Sequence, residues 1–405
     1  MKKFLTACLS ALMIGLSGCS DKGDSSGLAA GNSLKNEKNI INTVYDKEGN
    51  EIGSFEQNGL LTLAENKIVT VSYSSDSSSD HPKTDFCMYD LESKENVRLG
   101  TVSDLYSEAS FDRVLIGDHL YTSITVSQGD TKDDWVYTLV DFDLKNKTMN
   151  TLLQEKSTFI YNHLARADDD LLLLRKGNGG MKIERYSPAD GSISLLKQYT
   201  YDDDSHTGET ARDLYYRDGI LYVLRLESHG EKTRSDLFVD RYDKSMKLIS
   251  STNVTDIANS DLEGLEDEEK QAVKEFICTG DLVYYENRSI TQFLGKIEGG
   301  KLSPIVQITT AEGLSAARTA SDQGRYRVFS KALQEGNRYY VLDLENGELT
   351  EGELHPKGAD GYVIESIVQG EKKLLVNMYD PKSNSSGKRE YKMYYYDIED
   401  LLKKQ

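Results

Sequence analysis

The chain has little of what several common protein classes require. One Trp and five Pro occur among its 405 residues, which excludes repeats built around tryptophan. Its four Cys are too few and too far apart for a disulfide-stapled scaffold. Apolar runs stay below the roughly 20 residues that a membrane-spanning helix needs. What remains is a Tyr-rich, strand-forming composition with 25 Tyr.

Positively charged residues are also fewer than negatively charged ones. The chain carries 48 Lys and Arg against 67 Asp and Glu, a formal net charge of −19. A surface this acidic repels phosphate backbones and anionic lipid headgroups, so neither nucleic acid nor a basic-patch membrane contact is expected. The charge keeps the protein soluble, and we expect a monomer.

The first residues have the order of an export signal. Lys2 and Lys3 precede an apolar run from Phe4 to Leu16, and Leu-Ser-Gly-Cys ends at Cys19. The tetrad resembles the lipobox of bacterial lipoproteins. That resemblance implies removal of residues 1–18, lipidation of Cys19 and a membrane anchor on the extracytoplasmic face, at the cell surface or in the periplasm. The alternative is an ordinary secretory signal with an incidental cysteine.

Residues 19–39 are rich in Ser, Gly, Asn, Lys and Asp, the composition of a flexible linker. Cys8 would leave with the signal. Cys87 and Cys278 each lie in an apolar run, far apart in sequence, and are predicted to be buried thiols rather than a bridge.

A strand-end triplet recurs about every 50 residues from residue 44 to residue 397. Most copies place an aromatic residue before an acid, as in Met88-Tyr89-Asp90 and Asp141-Phe142-Asp143. A period near this length with strands throughout is typical of a propeller. The eight copies end at Asp46, Asp90, Asp143, Ser187, Asp243, Lys296, Asp343 and Asp397.

A second marker falls at a constant place within each period. Gly, Asn or Asp separates two apolar runs, as in Ile116-Gly-Asp-His119 and Cys278-Thr-Gly-Asp281. These residues tolerate the positive φ of tight hairpin turns. Each unit is then strand, tight turn, strand, variable loop, strand, turn and outer strand, which is a four-stranded blade.

We therefore predict an all-β fold over residues 40–405, a β-propeller of four-stranded blades. Seven blades are expected, with eight as the alternative. Only the linker precedes Asp46, so residues 40–57 are expected to close the ring as an N-terminal strand, which removes free sheet edges. The chain is similar to bacterial β-propeller lipoproteins, but its repeats match no specific propeller family.

One stretch, at about 260–276, interrupts the strand pattern. Leu262, Leu265, Val273 and Phe276 have helical spacing, and acids fill the predicted first turn. We predict a short helical insertion. It would cover one mouth of the channel or fill a gap on the surface.

Catalytic, metal and cofactor motifs are missing from the sequence. The six His are scattered, and neither a His-Glu-x-x-His, a Gly-x-Ser-x-Gly, a P-loop nor a dinucleotide-binding motif occurs. No cofactor is predicted and no catalytic residue is assigned. A weak calcium candidate is the loop with Asp202, Asp204 and Glu209; a solvated acidic loop is the alternative.

Propeller ligands generally bind at the funnel where the first strands of the blades begin. By the turn register, a mixture of acids and cations lies there. It would hold a polar ligand, act in acid–base chemistry, or form salt bridges along a wet channel. The candidates are Asp112, Arg113, His163, Arg212, Asp213, Glu275 and Arg318.

These features favour a tethered binding or scaffold module for a protein or glycan partner. Long variable loops at residues 72–83, 128–134, 201–210 and 379–388 are where such binding usually resides. One alternative is a carbohydrate-active hydrolase or lyase with funnel carboxylates. Another is an envelope-assembly scaffold, on analogy of fold.

Overall fold

Short strands succeed one another because each run of apolar and alternating residues ends at a Gly, Asn or Asp turn. No helix among the described residues is long and apolar enough to cross a membrane. The computed structural model describes residues 40–57, 59–73, 83–107, 113–127, 135–156, 163–177, 180–202, 205, 207–230, 235–255, 273–287, 291–309, 315–316, 318–319, 324–330, 337–382 and 391–403.

The strands group into sheets that follow one another along the chain, each listed from the channel outwards. The first hairpin is β1 (Ile40–Tyr45) and β2 (Glu51–Gln57). Blade 1 contains β3 (Gly59–Ala64), β4 (Lys67–Tyr73), β5 (Lys83–Asp90) and β6 (Asn96–Ser103). Blade 2 contains β7 (Leu105–Ser107), β8 (Arg113–Ile116), β9 (His119–Ser127), β10 (Trp135–Asp143) and β11 (Thr148–Lys156).

Blades 3 to 5 repeat this order. Blade 3 contains β12 (His163–Ala167), β13 (Asp170–Gly177), β14 (Gly180–Tyr186) and β15 (Ile193–Gln198). Blade 4 contains β16 (Tyr201–Asp202), β17 (Thr207–Arg217), β18 (Ile220–His229), β19 (Ser235–Tyr242) and β20 (Leu248–Asn253). Blade 5 contains β21 (Val273–Thr279), β22 (Leu282–Asn287), β23 (Thr291–Glu298) and β24 (Lys301–Thr309).

The last two blades share a short strand. Blade 6 contains β25 (Ser315–Ala316), and β26 (Arg318–Thr319) follows but pairs with blade 7. Blade 6 continues with β27 (Tyr326–Ser330), β28 (Arg338–Asp343) and β29 (Leu349–Glu353). Blade 7 contains β30 (Val363–Gln369), β31 (Lys373–Tyr379) and β32 (Tyr391–Asp397), and α1 (Ile398–Leu402) follows.

Blade 7 is completed by the beginning of the described chain. β1 pairs with β32 in parallel, with Val44 opposite Met393 and Tyr45 opposite Tyr394, and β2 lies outside β1. The seven sheets make a seven-bladed β-propeller, as predicted, and eight blades are excluded. The closing element differs in one respect from the prediction, because residues 40–57 supply a two-stranded hairpin instead of one outer strand.

Aromatic and aliphatic side chains fill the spaces between blades, since a single small sheet cannot bury both of its faces alone. The rings of Phe86 and Phe142 lie 5.0 Å apart between blades 1 and 2. Tyr284 and Phe329 lie 4.7 Å apart between blades 5 and 6. Cys87 and Cys278 are buried and are not joined in a disulfide, as predicted.

The strand-end acids recur because they bind the turn that follows the third strand. Asp143 Oδ1 accepts the backbone N–H groups of Lys145 at 3.1 Å and Asn146 at 2.8 Å. Asp90 accepts those of Glu92 and Ser93 in the same way. These bonds fix the hairpin between third and fourth strands, and the Asn146 amides hold the pKa of Asp143 below its usual value.

Two sequence predictions need correction. Residues 273–276 of the predicted helix belong to β21, whose partner β22 supplies the backbone bonds that a helix would have used; residues 256–272 lie outside the described residues. The marker that ends at Lys296 lies within β23, which continues to Glu298, because Gly299 and Gly300 form the turn.

Candidate functional site

The hairpin order gives the propeller two different ends. Every inner strand runs towards a tight turn, so the turns after first and third strands meet at one end, called the turn end. The second-to-third-strand connections and the crossovers between blades meet at the other, called the loop end. Three of the predicted variable loops, at residues 72–83, 128–134 and 379–388, connect second to third strands at the loop end. Most of the fourth, 201–210, is strand, in β16 and the beginning of β17.

The turn end is tied together from blade to blade. Lys67 Nζ of blade 1 lies 3.1 Å from Asp118 Oδ1 in the blade 2 turn. Tyr216 of blade 4 donates its hydroxyl to Asp168 in the blade 3 turn at 3.1 Å. Tyr395 of blade 7 donates to the Glu65 carbonyl of blade 1 at 3.0 Å. These turn-end polar groups therefore hold neighbouring blades together.

The loop end has irregular inner strands. The ladders of β3, β17, β21 and β30 with their second strands each shift register near the loop end. A β-bulge re-aims side chains locally and is over-represented next to functional sites. The bulged residues are Leu61, Arg212, Lys274 and Glu365.

Two predicted funnel residues meet across the interface between blades 3 and 4. His163, the first residue of β12, has Nδ1 3.4 Å from Asp213 Oδ1 on β17. Asp213 Oδ1 also accepts the backbone N–H of Leu214 at 2.7 Å. The His163 side chain is 25% exposed and that of Asp213 10%. A carboxylate beside one ring nitrogen fixes the orientation of an imidazole, an arrangement common where histidine binds polar groups or exchanges protons.

The predicted arginines flank this pair differently. Arg113 begins β8 and is buried, whereas Arg212 occupies the bulge immediately before Asp213 and is exposed. Strands β8, β12 and β17 are neighbours around the channel, so these residues belong to one sector of the ring. Arg212 is the exposed cation of that sector.

The remaining funnel candidates are placed less fully. Asp112 lies outside the described residues. Glu275 follows the bulge of β21, in register with Glu286, and its side chain is not described. Arg318 was expected just ahead of a tight turn, and this is wrong. It lies in β26, which pairs with Val368 of blade 7, because the inner strand of blade 6 is divided into β25 and β26.

Sequence reasoning missed Glu365, the bulged residue of β30. Its carboxylate accepts the Asn377 amide at 2.7 Å and the Tyr391 hydroxyl at 3.5 Å. It lies four residues before the end of its inner strand, the same offset as His163, Asp213 and Glu275. Counting four residues back from the end of the inner strand of blade 7 identifies Glu365.

Arg327 of blade 6 was also missed, because its blade lacks the turn marker. Its guanidinium is buried, and burial lowers its pKa to about 10, with the Tyr215 hydroxyl of blade 4 acting in the opposite direction. A buried cation between blades requires compensating polar groups, so this residue is part of the ring's internal framework.

The turn end carries a His–Asp pair of its own. His119 Nδ1 lies 3.0 Å from both carboxylate oxygens of Asp141. Burial raises the pKa of Asp141, while the hydrogen bond from His119 opposes that rise. The pair lies on β9 and β10, away from the inner strands, so it does not belong to the channel mouth.

Two of the three residues of the weak calcium candidate are described, and each has a partner within the protein. Glu209 Oε1 accepts a hydrogen bond from Arg225 Nη1 at 3.0 Å, and the same guanidinium binds Asp240 at 2.7 Å. Asp202 accepts the backbone N–H of Ser205, and Asp204 lies outside the described residues. Among the residues that are described, no three His, Cys, Asp or Glu side chains form a metal-binding group.

No protein-family model and no curated protein matches this chain. Solved structures similar to it include a prolyl endopeptidase, with 13% identity and a TM-score of 0.44 over 78% of this chain and 45% of that one. The chain thus spans less than half of that enzyme's length. A putative 6-phosphogluconolactonase from Bacteroides fragilis NCTC 9343 has 13% identity and a TM-score of 0.43, over 82% and 98% of the two chains. The β-propeller domain of the Trilobed protease from Pyrococcus furiosus has 12% identity and a TM-score of 0.42, over 71% and 80%.

At these identities the likeness concerns fold alone. The seven-bladed arrangement rests on the strand pairing of this chain, and no activity is carried over from these proteins.

Proposed function

We propose that this chain is an extracytoplasmic binding or scaffold module, held at a membrane by lipid on Cys19, that takes a protein or glycan partner at its loop end. The observation that carries this proposal is the irregular loop end, where four inner strands carry bulges and Arg212 is solvent-exposed on one of them. The turn end is instead tied from blade to blade, as at Asp118 and Asp168.

The loop-end chemistry suits a polar partner. His163 is partly exposed and oriented by Asp213, and Arg212 adds a cation that can pair with a carboxylate or a polarised carbonyl. The connections over residues 72–83, 128–134 and 379–388 join strands at the same end, and partner binding usually resides in such loops. The acidic remainder of the surface limits non-specific contacts with anions.

The test is capture from envelope extract and on a glycan array, using the chain that begins at Ser20. Arg212→Ala alters the loop end, and Asp118→Ala removes a turn-end side chain as the matched control. We expect a specific partner whose retention falls at least fivefold with Arg212→Ala and is unchanged with Asp118→Ala. Equal retention by both variants would contradict loop-end binding.

The same array separates binding from turnover. A glycan retained at constant length supports a binding module. A glycan that is bound and shortened would replace this proposal with a carbohydrate-active enzyme, and Asp213→Asn would then be the first substitution to measure. Retention of envelope-assembly components alone would favour the scaffold role.

A further inference from the structure

Four half-buried polar and aromatic side chains gather at the loop end of blade 7, where the ring closes. They are Glu365 on β30, Asn377 and Tyr379 on β31, and Tyr391 on β32. We call them the blade 7 quartet. None takes part in the turn-end ties or in the His163–Asp213 pair, so they form a separate cluster.

The quartet is organised around the Glu365 carboxylate. One oxygen accepts the Asn377 amide at 2.7 Å, and the other accepts the Tyr391 hydroxyl at 3.5 Å. The Tyr391 ring lies 6.4 Å from that of Tyr379, at an interplanar angle of 42°. Two aromatic surfaces therefore border one carboxylate and one amide.

All four side chains belong to one face of the blade. Tyr379 is opposite Tyr391 in the ladder, and Asn377 is opposite Met393. Further along this face, Met393 packs in an apolar cluster with Leu63 and Ile68 of blade 1. The quartet thus stands at the loop-end margin of the apolar seam between blades 7 and 1.

The Asn377 side chain has one acceptor atom that makes no hydrogen bond within the described part of the chain. Its Oδ1 atom is buried and has no hydrogen-bond partner among the described residues, although its Nδ2 is bound to Glu365. Buried acceptors of this kind are nearly always satisfied in folded proteins. A hydroxyl bound at the seam would satisfy it once the contacts that cover this atom open on binding.

We infer that the blade 7 quartet is a sugar-binding subsite. A sugar ring has an apolar C–H face, which packs on the electron-rich face of Tyr379 or Tyr391. Its hydroxyls both donate and accept, so they can donate to the Glu365 carboxylate and to the oxygen of Tyr391, whose own hydrogen is bound to Glu365. This inference rests on the proposed binding function and names its partner as a glycan.

The charge of the site selects the class of sugar. Glu365 supplies a carboxylate, Asp380 follows directly after β31, and the whole chain carries a net charge of −19. A uronic or phosphorylated sugar would be repelled. The subsite is therefore fitted to uncharged hexoses and N-acetylhexosamines.

The test uses the chain from Ser20 with tetrasaccharides of glucose, N-acetylglucosamine and galacturonic acid, each titrated by calorimetry. Tyr391→Ala removes one ring, Tyr391→Phe removes only its hydroxyl, and Glu365→Gln removes the charge. Blade 6 offers a matched control, because the Tyr340 hydroxyl binds Glu351 Oε1 at 3.2 Å on its outer strands. Tyr340→Ala and Glu351→Gln repeat the same chemical changes away from the quartet.

We expect one neutral tetrasaccharide to bind, with at least a tenfold loss of affinity in Tyr391→Ala and a smaller loss in Tyr391→Phe. Both control variants should bind as the unaltered chain does, and galacturonate should not bind. Neutral-sugar binding unaffected by the quartet variants would overturn the subsite and leave the proposed function standing. Capture of a protein only, with no tetrasaccharide bound, would also overturn the subsite. Absence of any partner would contradict both.

Discussion

The side-chain amide of Gln369 occupies the place of a missing strand beside Val328. Gln369 Oε1 accepts the Val328 backbone N–H at 3.0 Å, and its Nε2 donates to the Tyr326 carbonyl at 2.6 Å. The inner strand β25 reaches only the far end of β27, so this edge would otherwise lack its ladder bonds. One amide from blade 7 thus completes blade 6 and joins the two blades.

Replacing this amide should destabilise the ring. Gln369→Leu leaves a buried donor and a buried acceptor without the bonds that Gln369 supplies, which costs about 2–4 kcal/mol in the free energy of unfolding. Urea titration measures the loss. Gln154→Leu, at an exposed outer-strand position, is the control and should change stability by no more than about 0.5 kcal/mol. Equal effects of the two substitutions would refute the role of the Gln369 amide.

The turn between β3 and β4 stores backbone strain. Glu65 has φ of 54°, a conformation that costs a residue with a Cβ atom roughly 1 kcal/mol and costs glycine almost nothing. Glu65→Gly should therefore raise the melting temperature.

The same substitution at Glu92 is the control for that change. Glu92 is exposed in the β5–β6 turn and is absent from the residues with positive φ. Glu92→Gly should lower the melting temperature slightly, because it only adds freedom to the unfolded chain. A lower melting temperature for Glu65→Gly would show that its conformation carries no strain.

Acid should weaken the strand-end turns. The Asn146 amides depress the pKa of Asp143 in the folded state, so this carboxylate stabilises the fold above its unfolded value of about 3.9. That contribution is lost as pH falls through the lower folded pKa. Asp143→Asn should be about 1 kcal/mol less stable than the unaltered chain at pH 7, and the gap should close towards pH 3.

Exposed Asp360 provides the control substitution. Asp360→Asn should change the stability at pH 7 by no more than about 0.5 kcal/mol. A gap for Asp143→Asn that stays constant between pH 7 and pH 3 would show that its charge does not stabilise the turn.

Lipid anchoring makes a separate prediction. Cys19→Ser removes the expected acceptor thiol, so the protein should move from the membrane fraction to the soluble one, since stable attachment requires more than one acyl chain. Detergent-phase partitioning of both forms measures this. Membrane retention of the Cys19→Ser protein would contradict the anchor.

Local patterns made much of the fold predictable. The strand-end acids bind their own turns, and turns such as Gly117-Asp118 need residues that accept positive φ. The acids and the turn residues therefore recur in the sequence at a regular spacing. Eight strand-end marks predicted seven blades because the first mark was assigned, with residues 40–57, to the closing blade. The predicted helix failed at Val273 and Phe276 because a short apolar run fits a helix or a strand equally well until its partner, β22, is known.

The site was predictable only in part. The positions of the tight turns predicted His163 and Asp213 as funnel residues. Their contact could not be predicted, because it depends on how blades 3 and 4 pack. Glu365 shares the offset of His163 from the end of its inner strand and could have been found in the same way. Gln369 replaces an absent strand, and this leaves no periodic signal because it compensates for an irregularity in the neighbouring blade.

Hydrogen exchange with the captured partner present and absent tests the central claim most directly, because it measures protection over the whole ring at once. Loop-end binding predicts protection at the starts of β12 and β17 and at the connections over residues 72–83, 128–134 and 379–388. The turns at Asp118, Asp168 and Gly280 should exchange unchanged. Protection confined to those turns, or to the outer strands β15 and β20, would contradict the account.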